Sequence, residues 1–129
     1  MNTMWKGFWA AAALCAATAA VDAVQPQAAG SRREPQFENA EVRVWKSVIM
    51  PNQPLSLHRH EHGRTIVALK GGTLDVVDAK GMTKQKMVWE TGKAYWLDAD
   101  PPGTQHADLN KGTEPMEVIL VELQNDMKK

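Results

Sequence analysis

Between residues 41 and 123 the chain is cut by Gly and Pro into short stretches, at MPNQP, KGG, AKG, TGK, DPPG and NKGTEP. Such signals set φ values and remove N–H donors, so they interrupt helices and mark the ends of strands. The stretches between them, residues 41–50, 55–60, 64–70, 72–78, 82–90, 93–97, 104–109 and 115–123, are alternating or rich in β-branched and aromatic residues. After residue 24 no convincing helical period is present. Eight short strands at this spacing predict an all-β sandwich or small barrel. At 129 residues the chain has room for a single core.

The first 23 residues are of another kind. Lys6 precedes an uncharged, Ala-rich run from Gly7 to Val21, and small residues follow at Ala20 and Ala23. This is the layout of a secretory signal peptide cleaved after one of those alanines, and it outweighs an Ala-rich helix of the mature fold. The run is shorter than the roughly 20 residues that span a bilayer, so no stable membrane span is expected after cleavage. A lipoprotein reading of Cys15 fails on the bulky Leu14 before it. Cys15 is the single cysteine, and its removal leaves a mature chain without disulfides or thiol chemistry. The expected location is periplasmic or secreted. Residues 24–40 lack apolar periodicity and read as a linker or N-terminal arm. The expected barrel covers residues 41–123, and 124–129 form a tail.

Fifteen basic residues balance fifteen acidic ones. A neutral chain has no field to draw in polyanions, so nucleic acid is not an expected partner.

The chemistry concentrates in HRHEHGR, residues 58–64. On a strand His58, His60 and His62 would share one face, with neighbours about 6.6 Å apart. Two neighbouring imidazoles reach one ion at bond lengths of about 2.1 Å. His58 and His62, about 13 Å apart along a strand, do not. His62 is therefore expected to be an exposed bystander, and a third ligand has to come from elsewhere. The remaining histidine is His106, in DPPGTQHADLN.

These two segments resemble the two motifs of the cupin superfamily, in particular its small single-domain, RmlC-like members. His58, His60 and Gly71 match the first motif. Pro101, Gly103, His106 and Asn110 match the second. The resemblance spans about residues 41–123 and implies a cupin double-stranded β-helix, or jelly-roll barrel, in one domain. It implies a divalent metal, Fe, Mn, Ni or Zn, held by His58, His60 and His106. Two positions depart from the pattern. The Gly expected before the second motif is Tyr95, with Gly92 three residues early, and the first motif's Glu falls on Arg64, or on Thr65 with the longer spacing.

Arg64 bears on the ligand set. A divalent ion and a guanidinium about 6 Å apart at an effective dielectric of about 20 repel by about 5 kcal/mol, and arginine does not deprotonate to relieve this. Three arrangements follow. Arg64 pairs with Glu61, Asp75 or Asp108 and leaves a neutral three-His site open; or it holds a small anion, such as a carboxylate, beside the metal; or no metal binds and the four residues form a polar pocket. Pro101, Gly103 and Asn110 are expected to shape turns. Trp45, Trp89 and Trp96 are expected in the core or on a homodimer surface, and Tyr95 or Trp96 at the barrel mouth.

The leading functional reading is an exported metal-binding cupin with a small anionic ligand at Arg64. One alternative is a three-His iron dioxygenase acting on a small carboxylate-bearing substrate, which the resemblance implies. The other is a metal-free scaffold acting through ligand or protein binding. No general acid or base evidently pairs with the histidines, which favours binding over turnover.

Overall fold

The structure, a computed structural model, describes residues 30–125. The expected signal peptide, the single cysteine and residues 126–129 lie outside the described residues. Among the described residues there are eight strands and no helix: β1 (Arg32–Glu38), β2 (Val42–Ile49), β3 (Arg64–Lys70), β4 (Gly72–Val77), β5 (Thr83–Trp89), β6 (Ala94–Leu97), β7 (Ala107–Asn110) and β8 (Met116–Leu123). They form a five-stranded sheet, β1-β2-β8-β3-β6, and a three-stranded sheet, β5-β4-β7.

The period-2 pattern decides which faces meet. Met116, Val118 and Leu120 of β8 and Ile66 and Ala68 of β3 point inward, and with Trp45, Ile49, Leu74 and Trp89 they form the core. Arg64 lies in register with Ile66 and Ala68 and so faces the interior too, 5% exposed. At Gly71 a Cβ would stand 2.0 Å from the Trp89 carbonyl oxygen, so the β3–β4 corner admits only glycine.

Two strand boundaries differ from the sequence reading. The arm expected over 24–40 becomes strand β1 from Arg32, antiparallel to β2, with an irregularity between Pro35 and Phe37. Its RREPQFE sequence hides this, because an edge strand tolerates charges and proline that an inner strand does not. The strand expected over 55–60 is instead irregular. Pro51 and Pro54 remove N–H donors, and the segment runs beside β7 through isolated bridges, Pro51 with Asn110 and His58 with His106.

Asn110 and Gly103 perform the structural tasks expected of them. Asn110 Nδ2 donates to the carbonyls of Ile49 and Glu114, and its Oδ1 accepts from Gly112 N–H. Gly103 sits at φ 77° in the turn closed by Thr104 N–H and the Pro101 carbonyl.

Candidate metal centre

His58 and His106 face each other across their bridge, each N–H donating to the other's carbonyl at 2.9 and 2.8 Å. His60 follows two residues on and projects to the same side. The backbone thus gathers all three rings, with centroids 4.4 Å apart for His58 and His106, 4.9 Å for His58 and His60, and 5.7 Å for His60 and His106. One ligand nitrogen from each lies within 4.8 Å of the other two. His62 is half-buried rather than exposed and stands outside the cluster.

Each ring is anchored on its Nδ1 side by oxygen. His58 Nδ1 meets the Ser56 carbonyl at 2.8 Å, His60 Nδ1 meets the Glu122 carboxylate, and His106 Nδ1 lies 3.3 Å from Asp100 Oδ2. A carbonyl only accepts, so His58 Nδ1 carries the proton and its Nε2 keeps a lone pair. Oxygen partners on the far nitrogen are the usual means of fixing the tautomer and the ring plane of metal-binding histidines. Burial pulls the His58 imidazole down to about 3, so it stays neutral at physiological pH. Burial also lowers His106, against the opposing pull of Asp108 and Asp100. Three imidazoles gathered this closely fit a divalent ion of intermediate softness.

Arg64 turns inward and pairs, but with a carboxylate that the sequence reading does not name. Its Nη1 donates to the Asp98 carbonyl at 3.0 Å and its Nη2 to Asp100 Oδ1 at 3.4 Å. Of the partners expected from sequence, Asp75 is held by Lys111, Lys86 and Thr83, and Asp108 faces His58 and His106 at 3.7 and 3.8 Å. Asp100 also accepts the His60 N–H at 2.7 Å, so one carboxylate joins Arg64, His60 and His106. Its charge offsets the guanidinium that would otherwise repel a metal. Arg64 Nε is buried without a partner.

His60, Arg64, His106, Asp100 and Asp108 line one end of a cavity of about 220 Å³ between the sheets, closed by Trp89, Leu97 and other apolar side chains. Neither aromatic expected at the mouth reaches it. Tyr95 packs against the core and its hydroxyl accepts the Glu90 N–H. Trp96 is 52% exposed, lies over Gly63 and donates to Asp98. Trp45 and Trp89 are buried, and Trp45 stacks on His60 with an interplanar angle of 2°.

No family model matches the chain. Among solved structures, a cupin domain from Bordetella pertussis aligns with a TM-score of 0.63 at 20% identity, covering 74% of this chain and 95% of that one. A double-stranded β-helix protein from Klebsiella pneumoniae gives 0.53 at 23% identity over 78% and 77%. An RmlC-like cupin from Desulfovibrio desulfuricans gives 0.53 at 18% over 83% and 93%. These neighbours establish the fold. Among curated proteins, the beta-alanine degradation protein BauB of Pseudomonas aeruginosa is 33% identical over 87 residues, 67% of this chain and 84% of that protein. The chain thus carries the cupin double-stranded β-helix and belongs by sequence to the family of BauB.

Proposed function

We propose that this protein is an exported cupin that holds one divalent metal ion on Nε2 of His58, His60 and His106 and receives a small carboxylate beside it. The observation that carries the reading is the gathering of the three histidines, with one ligand nitrogen from each within 4.8 Å of the other two and an oxygen beside each Nδ1. When bound, the metal supplies Lewis acidity. The chain orients the ion through the histidines, and the apolar wall of the cavity limits water.

The anion follows from charge. Asp100, Asp108 and Glu122 at the histidines outnumber Arg64 and Arg33, three charges to two, so without a cation the site repels anions. A divalent ion reverses that balance, and the unpartnered Arg64 Nε then has a use. The name of the relative BauB places that protein in the degradation of a small amino acid, which agrees with a carboxylate ligand. Export rests on the pattern of residues 1–23 and is tested by cell fractionation.

The test is the metal content of the untagged chain beside the His58→Ala/His106→Ala double variant. Stoichiometric metal in the first and none in the second is expected, with carboxylate binding only after metal loading. No uptake by the wild-type chain, even after reconstitution with Fe, Mn, Ni and Zn, overturns the reading.

The cavity beside the histidines favours a second reading, in which iron held by His58, His60 and His106 would supply dioxygen chemistry toward a small carboxylate-bearing substrate. Arg64 then holds the substrate. Oxygen uptake with Fe(II) and a panel of small thiol acids and other carboxylates decides between binding and turnover.

A further inference from the structure

The first cupin-like motif places Arg64 where a carboxylate is expected, and three carboxylates lie close to the histidines. Their positions are not equivalent. Glu122, which pairs with Arg64 in the β3–β8 register, touches His60 on Nδ1. Asp100 lies against Nδ1 of His106. Both therefore stand behind the rings. Asp108 stands in front, with Oδ2 3.7 Å from His58 Nε2 and Oδ1 3.8 Å from His106 Nε2.

Those separations are too long for hydrogen bonds. They suit two atoms bonded to one ion at about 2.1 Å, which stand roughly 3 to 4 Å apart according to the bond angle. The placement follows from the strand. Asp108 is two residues beyond His106, so both project from the same face of β7.

We propose that Asp108 is the fourth protein ligand of the metal, supplying from β7 the carboxylate that β3 lacks at Arg64. This rests on the metal reading above. The site is then three imidazoles and one carboxylate, with the remaining coordination positions open to the cavity that His60, His106 and Asp108 all line. Arg64 is released from competing for the ion by its pairing with Asp100.

The test is a Co(II) titration of the untagged chain, read by equilibrium dialysis and by the visible absorption of the bound ion. The variants are Asp108→Asn, Asp108→Glu and Glu122→Gln, with circular dichroism of the metal-free proteins to check the fold. Loss of a partner behind a ligand costs about 10- to 100-fold in affinity, so Asp108→Asn is expected to lose at least about 100-fold. Its Co(II) spectrum changes, and Asp108→Glu recovers part of the affinity. Glu122→Gln weakens binding and keeps the wild-type spectrum. Wild-type affinity and spectrum in Asp108→Asn overturn the ligand role and leave the three-His site standing. No Co(II) uptake by the wild-type chain overturns both. Should Asp108→Asn not fold, the spectrum of Asp108→Glu decides: a shifted band supports ligation, and an unchanged one overturns it.

Discussion

A buried carboxylate away from the metal centre shows how single residues set the response to pH. Asp75 is 3% exposed on β4. Burial opposes its charge, but hydrogen bonds from Lys111 and Thr83 and the ammonium of Lys86 outweigh that and hold its carboxyl below the usual range. A lowered folded pKa means that the unfolded chain takes up the proton first as pH falls. The stabilisation from Asp75 is therefore complete above the ordinary value near 3.9 and is lost as pH drops through the folded value. Asp75→Asn is expected to be less stable than wild type near pH 7, with the gap closing below about pH 4, read by urea unfolding across that range. At the same scale, His58, His60 and His106 were legible in the chain because their spacing carries information. Asp100, Asp108 and Glu122 were not, because a carboxylate becomes relevant to a histidine only once pairing and turns bring the two together. The sole local hint was that Asp108 lies two residues past His106 and so shares its face.

The irregular segment 51–63 is the element on which the centre depends. It carries His58 and His60 yet lacks a full ladder, being tied to β7 by the N–H groups of Asn52 and Leu55 and to His106 by that of His58. Leu55, 5% exposed, is its apolar anchor in the core. Leu55→Ala is expected to destabilise the protein by about 2–5 kcal/mol and also to weaken metal uptake, since loosening the segment moves two ligands. Denaturant unfolding and a metal titration of the same variant check both effects. A purely local role for Leu55 would leave affinity unchanged once the protein is folded. The apolar alternation that reveals β2, β3 and β8 is weak here, so sequence reading overextends a strand through HRH. It also misses β1, whose outer face is charged and whose Pro35 is tolerated only at an edge.

At the scale of the whole molecule, a metal that binds the native state and not the unfolded one must raise the melting temperature. At a free concentration 100 times the dissociation constant the gain is about 2.7 kcal/mol. For a domain of this size that corresponds to a rise of about 10 °C or more. Differential scanning calorimetry with and without Fe, Mn, Ni or Zn is expected to show it for at least one ion, and the His58→Ala/His106→Ala double variant is expected to show none.

The sequence by itself determined an all-β barrel, its turn glycines and the identity of three clustered histidines. Strand periodicity, φ-restricted turns and motif spacing are all local, and so are written along the chain. Only the tertiary structure decided where the charges go. The partner of Arg64, the carboxylates behind the His60 and His106 rings and the carboxylate in front of the cluster come from β7, β8 and the loop at residues 98–100. Their roles depend on which side of a ring they reach, and that is fixed by how segments distant in the chain lie against one another.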